Sequence, residues 1–184
     1  MVKKNACIFI SGTGTNLKTL IKSSREYSFP INISFVVSNT NKANGLRFAK
    51  IYKIPYFILN LNNRLQFELV FQKLKENNIT LICLAGYLKI LKKNFIRKFK
   101  GKIINIHPSL LPKYKGLDTF NRVLESKEKI TGCTVHYVSE KLDSGKKILQ
   151  KKVFINPNDN ESTLKNKVQR VEHKAYAEAI IKIN

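Results

Sequence analysis

Through most of the chain, short apolar runs alternate with amphipathic stretches. The runs at 7–10, 33–37, 56–59, 81–84 and 103–106 are bounded by turn residues and almost uniformly apolar, the pattern of strands covered on both faces. Between them, 16–24, 45–52 and 64–77 carry apolar residues at helical spacing, with Leu65, Leu69 and Leu74 as examples. Strand and helix in alternation predict right-handed crossovers and an α/β fold with a doubly wound, mostly parallel sheet. The C-terminal part differs: 134–138 and 148–154 have alternating character around a short Asp-Ser-Gly turn, followed by a helix over about 163–181. Antiparallel strands are therefore expected near the C-terminus. No repeat, low-complexity linker or shift in composition divides the sequence, so one domain over 1–184 is expected.

Composition changes this picture little. A hydrophobic content of 43% over 184 residues is enough for a substantial core. No apolar run reaches the roughly 18 residues of a membrane span, and the N-terminus lacks a secretory apolar segment, so a cytoplasmic protein is expected. Cys7, Cys83 and Cys133 are scattered through apolar runs and read as small core residues; with three separated histidines they do not form a metal-site pattern. The formal charge of +22 invites a polyanionic partner. Its lysines, however, are spread singly or in pairs such as Lys92-Lys93 and Lys151-Lys152, so compositional drift accounts for them better than a nucleic-acid face.

Three segments carry candidate chemistry. Ser11-Gly12-Thr13-Gly14-Thr15-Asn16 follows the first strand and opens a helix, where backbone amides converge on an anion. It lacks the spacing of a dinucleotide fingerprint and the Gly-Lys-Ser/Thr of a P-loop, so a monophosphate fits better, and a plain strand-to-helix turn remains open. Asn105 and His107, two apart near the carboxyl end of a strand, share one face, and Pro108 and Pro112 turn the chain out of the sheet. Strand ends are where such sheets bind ligands. Asp143, one of three aspartates, precedes Ser144-Gly145 and reads by itself as a turn former.

In this order these segments resemble the folate-dependent formyltransferase family. The resemblance runs from about Ala6 to Ile181 and is densest in Asn105-Ile106-His107-Pro108-Ser109-Leu110-Leu111-Pro112-Lys113-Tyr114. Leu84-Ala85-Gly86 and the Val168 to His173 stretch match as well. The resemblance implies a Rossmann-like formyltransferase fold and transfer of the formyl group of 10-formyltetrahydrofolate, a co-substrate, to the amine of glycinamide ribonucleotide in purine biosynthesis. It implies Asn105, His107 and Asp143 as catalytic residues. Gly14, Thr15, Asn16, Pro108, Gln169 and Glu172 would bind the phosphorylated substrate. The folate pocket would take Arg64, Leu88, Lys89, Ile90, Leu91, Asn105, Ser139, Glu140, Lys141, Leu142 and Asp143. No metal is implied, and the chain is expected to act as a monomer or weak homodimer without membrane or nucleic-acid partners.

By this reading Asn105 and His107 donate to the developing oxyanion, and Asp143 favours the imidazolium of His107 and relays the amine's proton. Lys115, Asp118 and Phe120 depart from the family pattern, in which proline and two histidines are commoner. Rival readings are formyl transfer to an initiator tRNA and folate hydrolysis, both expected to need further domains. A basic nucleic-acid-binding module with a decayed site is the rival from another class.

Overall fold

The structure, a computed structural model, describes residues 2–184. The chain forms two compact units, Met1–Ile104 and Asn105–Asn184. Among the described residues one sheet has seven strands, β1 (Lys4–Ile10), β2 (Ile31–Ser38), β3 (Tyr56–Ile58), β4 (Leu81–Leu84), β5 (Lys102–His107), β6 (Ile130–Tyr137) and β7 (Lys147–Phe154), in the order β3-β2-β1-β4-β5-β6-β7.

In the first unit, β1 (Lys4–Ile10) pairs in parallel with β2 (Ile31–Ser38) and β4 (Leu81–Leu84), and β2 pairs in parallel with β3 (Tyr56–Ile58). Ala6 to Ile10 are wholly buried, which is why their sequence shows no polar alternation. Helix α1 (Thr15–Arg25) buries Leu17, Leu20 and Ile21; α2 (Leu46–Ile51) buries Leu46, Phe48 and Ala49. Cys7 and Cys83 are buried thiols in β1 and β4, as their apolar surroundings predict.

Helix α3 (Arg64–Glu76) forms where the periodicity places it, yet its inward face is different. Phe67, Val70 and Leu74 are buried, while Leu65 is 81% exposed and Leu69 is 37% exposed. Two apolar stripes satisfy helical spacing in this stretch. The one carrying the aromatic ring is inside, where Phe67 packs against Phe71 and Phe95 with centroids 5.0 and 5.9 Å away. Phe95 belongs to α4 (Lys93–Lys98), a six-residue helix that pattern reading misses because one buried aromatic cannot define a period.

In the second unit, β5 (Lys102–His107) enters from the first, and β6 (Ile130–Tyr137) pairs antiparallel with β7 (Lys147–Phe154). The antiparallel expectation holds. Gly132 is required within β6, since a Cβ there would lie 1.9 Å from the carbonyl oxygen of Lys151. Helix α6 (Glu161–Ile183) opens on a capping box between Asn160 and Thr163 and buries Leu164, Val168, Ala175, Tyr176, Ala179 and Ile180. The short α5 (Thr119–Glu125) is unforeseen: it starts from left-handed Asp118, with no side-chain cap to signal it.

Candidate active site

Strand β5 supplies two of the three expected side chains. Its residues alternate, so Ile104 and Ile106 take one side and Asn105 and His107 the other. His107 is 5% exposed, and directly after it the chain leaves the sheet through Pro108. Asp143 comes from the connection between β6 and β7, at φ 46°, a left-handed position that aspartate tolerates better than most residues.

His107 and Asp143 meet directly, and Asn105 joins them through a fourth residue. Asn105 Nδ2 lies 3.3 Å from His136 Nε2. His136 Nδ1 lies 2.8 Å from the Tyr137 carbonyl, so Nδ1–H donates there and Nε2 is left to accept from Asn105. Asp143 Oδ1 is 3.6 Å from the same His136 Nε2, and Asp143 Oδ2 is 3.4 Å from His107 Nδ1. Oδ2 also accepts the Gly116 backbone N–H at 2.9 Å. His107 Nε2 lies 2.8 Å from the Tyr114 carbonyl. His136 is 2% exposed and joins Asn105 to Asp143. Sequence reasoning passed over it because a lone histidine inside an apolar strand gives no local signal; its inward register in β6, two residues after Thr134, is the only clue.

The electrostatics correct one expectation. Burial pushes the His107 pKa below the ordinary 6.5, and this outweighs the Tyr114 carbonyl and the Asp143 carboxylate, which pull it upward; His136 and Arg122 lower it further. His107 is therefore neutral at pH 7, not the imidazolium expected from its carboxylate neighbour. Its ring has one proton for two facing oxygens. Asp143 is ionised: burial raises its pKa, but the neighbouring His136 ring and the Gly116 N–H, with His107 alongside, bring it below the ordinary carboxylate value.

The other expected residues lie as follows. Gln169 and Glu172 sit one turn apart on α6; Glu172 is buried, and together with burial it pushes the Cys133 thiol up to about 12. Pro108 is half-buried, Ser139 half-buried, and Glu140, Lys141 and Leu142 exposed along the β6–β7 connection. In the first unit, Gly14 is the left-handed N-cap of α1 at φ 73°, and a Cβ there would lie 2.4 Å from the Gly45 Cα. Thr15 and Asn16 open the helix, and the Leu88 N–H reaches Ser11 Oγ at 2.9 Å. Leu88 and Ile90 are 65% and 73% exposed, Lys89 is exposed and Leu91 is buried. Arg64 stands exposed in the first turn of α3, where a cation gains nothing from the helix dipole. Among the described residues no three or more His, Cys, Asp and Glu side chains are grouped to hold a metal ion, and no helix is long and apolar enough to cross a membrane.

The model of the family described as formyl transferase matches residues 4–180. The chain belongs to the formyl transferase family. This formyltransferase is 41% identical over 177 residues to a phosphoribosylglycinamide formyltransferase of Haemophilus influenzae, covering 94% of the chain and 84% of that relative. It is also 41% identical over 182 residues to the trifunctional purine biosynthetic protein adenosine-3 of Gallus gallus; there it covers 97% of itself but spans only 18% of the relative's length. The crystal structure of phosphoribosylglycinamide formyltransferase from Anaplasma phagocytophilum superposes with a TM-score of 0.92 at 37% identity, covering 97% of this chain and 85% of that one.

Proposed function

We propose that this formyltransferase moves the formyl group of 10-formyltetrahydrofolate to the amine of glycinamide ribonucleotide, a step of purine biosynthesis. The observation that carries the reading is the buried cluster of Asn105, His107, His136 and ionised Asp143. It combines an amide donor with a carboxylate, as acyl transfer to an amine requires. The names of the similar proteins point to the amine substrate, and the folate follows from the family resemblance.

In the reaction the neutral amine attacks the formyl carbon, the carbonyl oxygen gathers negative charge in a tetrahedral intermediate, and the folate nitrogen leaves. Asn105 has two N–H groups on Nδ2. One is engaged by His136, and the other is free to meet the oxyanion. As C–N bond formation acidifies the amine, its proton passes toward Asp143. Asp143 takes that proton, and neutral His107, whose Nε2–H donates to the Tyr114 carbonyl, can share it through the Nδ1 that faces Asp143. The leaving folate nitrogen takes a proton back as its bond to carbon breaks. None of these steps requires a metal.

Gly14, Thr15 and Asn16 would hold the ribose phosphate through backbone amides at the start of α1, with Pro108, Gln169 and Glu172 completing the substrate's contacts. Arg64, Leu88 to Leu91 and Ser139 to Asp143 would hold the folate, the exposed Leu88 and Ile90 against its ring system and Arg64 or Lys89 against its carboxylates. The chain would act as a single formyltransferase domain in the cytoplasm, as a monomer or weak homodimer.

The test mixes the protein with 10-formyltetrahydrofolate and follows the folate absorbance with and without glycinamide ribonucleotide. Amine-dependent loss is the expected result. Amine-independent loss would mark a hydrolase, and no change in either case would remove the assignment.

A further inference from the structure

The loop from Tyr114 to Asp118 touches both members of the catalytic pair. The Tyr114 carbonyl meets His107 Nε2 and the Gly116 N–H meets Asp143 Oδ2. This loop has an unusual backbone: Tyr114, Gly116 and Asp118 stand at φ 55°, 80° and 54°. Left-handed positions are sparsely populated by residues that carry a Cβ, so two of the three need outside support to persist. That support has an identifiable source. Arg122, one turn into α5, sends Nη1 to the Lys115 carbonyl at 2.7 Å and to the Leu117 carbonyl at 3.2 Å, and its guanidinium lies 5.6 Å from the Tyr114 ring centroid. Thr119 Oγ1 closes the base of the loop on the Gly116 carbonyl at 3.2 Å, and Lys115 Nζ reaches Ser144 Oγ, next to Asp143, at 2.5 Å.

We infer that Arg122 is a positioning residue for formyl transfer: by clamping the Lys115 and Leu117 carbonyls it holds the loop so that the Tyr114 carbonyl and the Gly116 N–H stay on His107 and Asp143. The inference rests on the functional reading above. Arg122 contacts neither catalytic side chain by hydrogen bond and acts through the backbone. One nitrogen, Nη1, bridges both carbonyls while the rigid guanidinium plane keeps its place beside the Tyr114 ring, a fixed geometry that a freely rotating lysine ammonium does not reproduce. Its charge has a second effect, since Arg122 is among the groups that lower the His107 pKa. The groups facing His107 are Asp143 from the β6–β7 connection, His136 from β6 and Arg122 from α5. Asp143 faces His107, His136 and the Gly116 N–H, with Lys115 alongside at Ser144.

The experiment compares the full chain with Arg122→Lys and Arg122→Gln, measuring kcat, KM for each substrate, the pH profile of kcat, and the thermal midpoint. Displacing a reacting group by about 1 Å costs about a hundredfold in rate. Both variants should therefore lose kcat by about that factor with KM little changed. In Arg122→Gln the acid limb of the profile should also move to higher pH, because a cation is gone from beside His107; in Arg122→Lys it should stay, because the charge remains. Wild-type kcat in both variants overturns the proposal. So does a loss of kcat in Arg122→Gln with the acid limb unmoved, or one that vanishes when rates are referred to the folded fraction. Lack of transfer by the wild-type chain strikes the functional reading instead.

Discussion

The two units offer chemistry of different kinds. In the first, several of the expected binding residues contribute backbone or stand in the open: Gly14 is defined by its φ of 73° and by a Cβ it cannot carry, while Arg64, Leu88 and Ile90 are exposed. In the second, buried side chains fix one another, with Asp143 meeting His107, His136 and the Gly116 N–H. A backbone cradle keeps its shape as long as its fold does, and it depends on packing. A buried polar cluster instead depends on each atom being satisfied, so small chemical changes there cost turnover and leave partners unpaired as well.

This contrast can be broken most sharply by pairing one core variant with one site variant. Phe67→Ala removes a ring from the Phe67, Phe71 and Phe95 cluster and should lower unfolding free energy by about 3–5 kcal/mol in urea titration, with kcat of the folded fraction unchanged. Asn105→Ala and Asp143→Ala should reverse the pattern: kcat falls by about a hundred- to a thousandfold, equivalent to about 2.7–4 kcal/mol. Near-wild-type turnover in either would sink their catalytic assignment.

Gly14→Ala sits between the two. The added methyl would meet the Gly45 backbone and force a left-handed φ on alanine, so a stability loss of about 1–3 kcal/mol should accompany weaker capture of the phosphorylated substrate, read as a raised KM. If KM is unmoved while stability falls, the turn serves packing alone.

The pH dependence has a definite sign. His107 has a folded-state pKa below 6.5, so it stays neutral until pH falls through that lower value. Below pH 6.5 the unfolded chain binds this proton more readily than the folded one, so stability declines as pH falls there. The acid limb of kcat should therefore have its midpoint below 6.5; a midpoint at or above 6.5 would restore the imidazolium picture. The smallest effect belongs to Leu65→Ala. With Leu65 81% exposed, stability should move by less than about 0.5 kcal/mol in the same urea titration. A loss approaching that of Phe67→Ala would contradict the observed face of α3.

Much of the frame was legible in the chain. Uniform apolar runs mark Ala6 to Ile10 and Leu81–Leu84 as strands because burial on both faces leaves no place for a polar alternation. Asn105 and His107 announce a shared face through their spacing alone, and the long α6 was expected over about 163–181, within two residues of its observed ends. The short helices α4 and α5 escaped because six or seven residues cannot display a period. On α3 Leu74 is buried as expected, but Leu65 and Leu69 are not: apolar residues lie on more than one face of this stretch, and only the space available in the core selects Phe67 and Val70 over them.

What the sequence by itself determined is therefore the order of elements, the edge of the sheet that bears chemistry and, through resemblance, the family. Tertiary structure decided the rest of the candidate site: that His136 stands between Asn105 and Asp143, that the loop at Tyr114 and Gly116 reaches His107 and Asp143, and that burial pulls the His107 pKa down. The reason is common to all three. Periodicity and turn chemistry are local, whereas desolvation and hydrogen-bond partnership depend on residues that only folding brings within about 4 Å of one another.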